Sequence, residues 1–227
     1  MKVRQLLDWI ERELDVGKFD DVSNNGLQIE GPEDVEKVAF AVDASLESVK
    51  AAVAAGAQLL VVHHGISWGG GIKRLEGGVY NVVKAAIEGG LAVAAYHLPL
   101  DASKNYGNNY ELARFLGLKK LKRAFSYHGN VIGVTGFNQQ GVKVGVCSGG
   151  AGEFAETAKN LGCGLFITGE ASWGDVIAAE NCGIEMICAG HYATETFGVK
   201  ALALAVRRAF KVEAEFLPRS TASDMEM

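Results

Sequence analysis

Short runs of Val, Ile, Leu and Ala alternate along the chain with longer stretches whose apolar residues recur every three or four positions. Val38 to Val42, Leu59 to Val62, Leu91 to Ala95, Val131 to Val134, Val142 to Val146, Leu165 to Ile167 and Met186 to Cys188 predict strands. Their apolar character is continuous rather than alternating, as in a sheet covered on both faces. Helices are expected over Lys2 to Leu14, Ser45 to Ala55, Tyr80 to Glu88, Asn108 to Leu116, Glu153 to Leu161, Asp175 to Asn181 and Glu195 to Phe210. This succession is that of an α/β protein built from βα units. Pro218 to Met227 carries little apolar weight and reads as a frayed tail.

The pattern repeats. A shift of 105 positions lays Leu60-Val61-Val62 on Leu165-Phe166-Ile167 and Ser67-Trp68-Gly69 on Ser172-Trp173-Gly174. Tryptophan is rare, so its recurrence in place carries weight. A shift of 94 then lays Val93-Ala94-Ala95 on Ile187-Cys188-Ala189, His97 on His191 and Asp101 on Glu195. The 11-residue difference between the shifts falls in the Gly-rich segment Gly69 to Gly78. The chain therefore divides into two similar α/β halves, residues 1–125 and 126–227. Two like halves can pack about a pseudo-twofold axis, and a site formed there draws side chains from both.

Composition narrows the function. With 227 residues, 48% of them hydrophobic, the chain can bury a sizeable core. Its 22 basic and 27 acidic residues leave a net charge of −5, which makes nucleic acid an unfavoured partner. The richest basic run, Lys119 to Arg123, reads as a solvated connection. Cys147, Cys163, Cys182 and Cys188 form no C-x-x-C pair and read as small reduced core residues of a cytoplasmic protein. No run approaches the about 18 to 20 apolar residues of a membrane span, and Met1 to Leu14 does not read as a targeting segment.

The chemistry sits just past the predicted strands. His63 and His64 follow Leu59 to Val62, Asp101 follows Leu91 to Ala95, and His191 and Glu195 follow Met186 to Cys188, with the last helix expected to begin at Glu195. Crevices at the carboxyl ends of strands are where open α/β sheets bind ligands. Adjacent residues on extended backbone point to opposite faces, so His63 and His64 are expected to serve different ions. Imidazole with carboxylate suits Zn, Fe, Mn, Co or Ni better than Mg or Ca. Two such ions would leave a positive centre suited to metal-assisted hydrolysis of an anionic substrate, with a bridging carboxylate. His97 is expected nearby as a supporting group or a catalytic acid/base, not as a ligand. Single histidines at strand ends are commonly structural; the recurrence of these types at places the repeat makes equivalent is what favours ligation. Cys147-Ser148-Gly149-Gly150-Ala151-Gly152 reads as a tight βα turn rather than a phosphate loop, because it lacks G-K-[ST].

Four ordered motifs, Ser23-Asn24-Asn25-Gly26-Leu27-Gln28, Val61-Val62-His63-His64-Gly65, Ala95-Tyr96-His97-Leu98-Pro99-Leu100-Asp101 and Gly190-His191-Tyr192-Ala193-Thr194-Glu195, resemble the NIF-three-like family, the type 2 homologues of GTP cyclohydrolase I. The resemblance spans nearly the whole chain. It implies the NIF-three-like fold and two divalent ions held by His63, His64, Asp101, His191 and Glu195, with Glu195 bridging. It also implies a homohexamer, a trimer of dimers. The hydrolase reading for a small anionic or nucleotide-like substrate stands against a second one, a metal-stabilised oligomeric binding or regulatory protein without catalysis.

Overall fold

The structure is a computed structural model and describes residues 1–219; from residue 220 on, the tail expected over Pro218 to Met227 lies outside the described residues. Its described residues form two compact units, one of Met1–Leu100 joined by residues 199–219, the other of Asp101–Gly198. The units are therefore not contiguous halves. No helix among the described residues is long and apolar enough to cross a membrane.

In the first unit, α1 (Val3–Glu13) buries Leu6, Leu7 and Ile10. After it come β1 (Gly26–Ile29), β2 (Lys37–Asp43), α2 (Leu46–Ala54), β3 (Leu59–His64), α3 (Gly77–Glu88) and β4 (Ala92–Ala95). Ser45 begins α2 with a reciprocal cap: its hydroxyl accepts from Ser48 N, and the Ser48 hydroxyl accepts from Ser45 N. β2, β3 and β4 run parallel, and β1 closes the β4 edge antiparallel. Ala39, Leu60, Val62 and Val93 face Val49 and Ala52 of α2 and Val82 and Ala86 of α3. Phe40, Leu59, Val61 and Tyr96 are also buried, so the predicted two-sided burial holds.

A short α4 (Leu98–Ala102) leads into the second unit, where α5 (Asn108–Phe115), β5 (Lys119–Tyr127), β6 (Asn130–Phe137), β7 (Lys143–Cys147), α6 (Ala155–Asn160), β8 (Leu165–Thr168), α7 (Trp173–Cys182) and β9 (Glu185–Cys188) follow. Its sheet has the order β5-β6-β7-β8-β9. Lys119 to Arg123 is thus part of an edge strand and not a loop; its exposed Lys-rich face discourages pairing with another chain. Of the four cysteines, all free, Cys147 and Cys163 are buried, whereas Cys188 is exposed at the β9 edge. The last helix, α8 (His191–Ala209), carries the chain back, and β10 (Glu213–Phe216) adds to β2 in parallel, completing the first sheet as β1-β4-β3-β2-β10.

The repeat is visible in strand pairing. Leu60 pairs with Ala39 and Leu165 with Val144, so the shift of 105 holds across β2/β7 and β3/β8. In the next strand Leu60 pairs with Val93 but Leu165 with Glu185, a shift of 92 rather than 94. The second copy runs on farther before its helix: Ala189 N and Gly190 N still donate to Thr168 O and Gly169 O. In the first copy the ladder stops at Tyr96 N, and His97 N turns away to Asn25 Oδ1 at 2.8 Å.

Candidate metal centre

In the first unit the carboxyl ends of β3 and β4 bring three imidazoles together. His63 and His64 close β3, and His97 follows β4. The ring centroids are 4.6 Å apart for His63 and His64, 5.1 Å for His63 and His97, and 5.7 Å for His64 and His97. One nitrogen from each ring belongs to a set lying within 4.8 Å of one another. His63 and His64 are the last two residues of β3, the first buried and the second half-buried, and after them Gly65 packs where a Cβ would sit 2.6 Å from that of Ala95.

Each ring has a fixed anchor. His63 Nδ1 lies 3.0 Å from the Tyr96 carbonyl, His64 Nδ1 2.9 Å from Asp43 Oδ1 and His97 Nδ1 2.9 Å from Asp21 Oδ1. The resembling motif at Ser23 to Gln28 is the scaffold. Gln28 Oε1 accepts from Ile66 N and Ser67 N, and Asn24 Nδ2 donates to Ser67 Oγ, which fixes the turn after His64. Asn25 joins this turn to His97 as described above. Burial alone would raise the pKa of Asp21, but hydrogen bonds from His97, Asn25 and Ser23 outweigh it and bring it down to about 2. Trp68 lies edge-on to His97, 5.1 Å between centroids, beside an open depression of about 540 Å³ whose lining includes Ile66, Trp68, Val79 and Asn81.

In the second unit α8 begins at His191, not at Glu195 as expected, so the two side chains stand one turn apart on one helix face. His191 Nε2 is 3.1 Å from Glu195 Oε1, and His191 Nδ1 is 3.0 Å from Glu170 Oε1. The Glu195 hydrogen bond, opposed by burial and helped by Glu170, raises the His191 pKa to about 9. The turn after β7 forms the floor beneath this pair. Gly149 has φ +67, and a Cβ there would lie 2.4 Å from Glu195 Oε1 and 3.3 Å from His191 Nε2. Its neighbour Ser148 donates from Oγ to Asp101 Oδ1 at 3.2 Å, and Asn108 Nδ2 donates to the same oxygen at 2.9 Å. Asp101, Asn108, Ser148 and Glu195 are all buried. Nearby Cys147 is no nucleophile: its burial, and then the Asp101, Glu153 and Glu195 carboxylates, push the thiol well above its ordinary pKa.

Of the predicted residues, His63, His64 and His97 belong to one unit and Asp101, His191 and Glu195 to the other. Sequence reading missed Asp21, Asp43, Asn108 and the Ser148-Gly149 turn. Asp21, Asp43 and Ser148 act through contacts 76, 21 and 47 residues away along the chain, whereas Asn108 lies only seven residues from Asp101.

The chain matches the family model described as Duf34/NIF3 (NGG1p interacting factor 3) over residues 1–142 and again over 120–223. It belongs to the Duf34/NIF3 family. A Pyrococcus abyssi protein named GTP cyclohydrolase 1 type 2 homolog is 35% identical over 97% of this NIF3 family chain and 99% of its own length. An Archaeoglobus fulgidus protein of the same name is 38% identical, covering 96% and 98%. The crystal structure of TTHA1606 from Thermus thermophilus superposes with a TM-score of 0.86 at 31% identity, covering 98% and 100%. The mixed α/β architecture with two five-stranded sheets is accordingly the NIF3 fold.

Proposed function

We propose that this NIF3 family protein holds two divalent transition-metal ions with His63, His64, Asp101, His191 and Glu195, and acts as a metal-dependent hydrolase on a small anionic or nucleotide-like substrate. The observation that carries the reading is the preparation of the donors. The His63 ring is anchored to a carbonyl, the His64 ring to a carboxylate, and the Asp101 carboxylate is held by Asn108 and Ser148. Anchoring a ligating imidazole through its other nitrogen fixes its tautomer and raises its basicity, and such partners are the usual outer layer of a metal site.

The donors fit the group. Two imidazole-rich and carboxylate sets match Zn, Fe, Mn, Co or Ni, and the missing side chain at Gly149 leaves Glu195 Oε1 room. Ions bound there would supply Lewis acidity and hydroxide at neutral pH. His97, its Nδ1 committed to Asp21, presents Nε2 for contact with substrate or a metal, and the depression beside Trp68 offers an apolar wall for a heterocycle. We propose a cytoplasmic homohexamer, a trimer of dimers, as the working assembly.

The test pairs metal analysis with a phosphoesterase and cyclohydrolase screen on wild type and Glu195→Ala. The reading expects metal-dependent turnover in wild type and loss of both metal and turnover in the variant. Full activity without metal would overturn it. Loss of assembly or thermal stability on metal removal, with no turnover in any screen, would favour the non-catalytic binding protein.

A further inference from the structure

We propose that the depression beside Trp68 seats an uncharged planar nitrogen heterocycle, with Trp68 as its stacking platform and Asn81 reading its edge, so that these two residues set specificity for the ring of the substrate. The inference deepens the proposed function and takes from it only the small nucleotide-like substrate. It names the part of that substrate that lies away from the metals and what recognises it.

The platform is held in place before any ligand arrives. Asn24 N donates to Ser67 O and Gly69 N to Val22 O, so the backbone on each side of Trp68 is tied to residues 22–24. The indole Nε1 donates to Gly65 O at 2.9 Å, which orients the ring and satisfies its donor. Trp68 nonetheless stays 37% exposed, as does Val79 in the same lining. A rigid aromatic ring left facing water is a surface on which a planar ring can stack, and stacking tolerates any base because every base has a π-face. The other lining side chains are aliphatic except that of Asn81, and none carries a charge. The Asn81 amide is exposed and takes no part in the hydrogen bonds of the described residues, so it offers a donor and an acceptor side by side. That pair matches a ring edge with neighbouring acceptor and donor, as asparagine matches adenine. Such a wall suits an uncharged heterocycle and offers nothing to a phosphate.

Gly78 separates a binding site from an accident of the surface. It lies near the start of α3, lines the depression, and does not have the left-handed backbone that favours glycine. A Cβ there would meet nothing within 4 Å. Neither conformation nor packing calls for glycine, which is a poorer helix residue than alanine. Its effect is to leave open the space of about 540 Å³, a size usual for small-molecule sites. Gly65 on the same wall differs, because a Cβ there would collide with the Gln28 amide and packing alone requires its absence. A ring seated on Trp68 lies beside His97, whose centroid is 5.1 Å from that of Trp68, so the substituent it carries is delivered to the histidines.

The experiment adds adenosine, guanosine or ribose to metal-stripped full-length protein. Equilibrium dialysis measures affinity in wild type, Trp68→Leu, Asn81→Ala and Gly78→Leu, and circular dichroism establishes that each is folded. Fluorescence in a Trp9→Phe, Trp173→Phe background, where Trp68 is the one indole left, reports where the probe sits. We expect both nucleosides to bind and to quench Trp68, while ribose does neither. Trp68→Leu should weaken binding about 5- to 100-fold and Asn81→Ala about fivefold or more. Gly78→Leu should remove binding with a urea midpoint at or above that of wild type, a combination that a merely structural role would not produce. Equal affinity in wild type and Gly78→Leu, or quenching by ribose as strong as by the nucleosides, would overturn the proposal. So would absence of nucleoside binding in wild type; if Gly78→Leu then also changes the sedimentation of the protein, the face is a contact between copies of the chain. Metal content of the unstripped wild type is judged separately: two bound ions without nucleoside binding leave the metal reading standing, and nucleoside binding without ions overturns that reading alone. Should Trp68→Leu not fold, Asn81→Ala and Gly78→Leu decide the matter by the same readouts.

Discussion

Replacing Gly149 with alanine separates the backbone cost of this turn from its service to the metal centre. The residue sits at φ +67, a region that costs an L-residue about 1 to 2 kcal/mol. Gly141 is the internal control: its φ is +80 and nothing lies within 4 Å of an added Cβ, so Gly141→Ala incurs the backbone cost alone. At Gly149 the new methyl would stand 2.4 Å from Glu195 Oε1, and an ordinary contact of about 3.4 Å requires that oxygen to retreat by about 1 Å. The retreat opens the 3.1 Å contact with His191. Because Glu195 moves at the far end of a flexible side chain and solvent reaches His191, the added stability loss should stay within about 1 kcal/mol of the control. Metal affinity should respond more strongly, falling about 10- to 100-fold only in Gly149→Ala. Urea unfolding of the metal-free proteins and competition titration with a chromogenic chelator measure the two quantities. Equal metal affinity in the two variants would refute the assignment of Glu195 as a ligand supported by this turn.

Metal binding should release a proton from His191, whose pKa of about 9 keeps it charged at pH 7.5 in the metal-free protein. Calorimetry in buffers of differing ionisation enthalpy measures this; zero release at pH 7.5 would contradict ligation by His191. Because that pKa is raised from 6.5, the pairing of His191 stabilises the metal-free fold fully below pH 6.5 and ceases to do so as pH rises through about 9. Urea midpoints should therefore fall over that window in wild type and fall less in His191→Gln. Asp21 works in the opposite direction: its pKa is depressed from 3.8 to about 2, so its contribution is present above pH 3.8 and disappears toward pH 2. Asp21→Ala should flatten the stability profile between those limits, and an unchanged slope would argue against the hydrogen bonds assigned to it. Gln28→Ala should cost about 1 to 3 kcal/mol by leaving Ile66 N and Ser67 N without their acceptor. A urea midpoint equal to wild type would exclude that role.

The central strands were legible because parallel strands covered on both faces leave unbroken apolar runs, as at Leu59 to Val62 and Leu165 to Ile167. Three other strands had no such mark. β5 is rich in lysine, β10 reads Glu-Ala-Glu-Phe, and β1 spans only Gly26–Ile29. Each is defined by the edge it joins, and an edge carries little local signal. The return of the chain to the first unit was hidden for the same reason, since it depends on β10 adding to β2. At the candidate centre the metal-binding residue types were readable at strand ends. The start of α8 was not, because His191 follows Gly190 with no acidic residue in the first turn to announce it. The anchors were hidden by distance: Asp21 reaches His97 across 76 residues and Asp43 reaches His64 across 21.

The most direct test is anomalous diffraction at the absorption edge of the metal bound by the purified full-length protein. The account predicts two peaks, with nitrogen and oxygen atoms of His63, His64, Asp101, His191 and Glu195 about 2.0 to 2.3 Å from them. Absence of peaks in metal-loaded crystals, or peaks surrounded by other side chains, would contradict it.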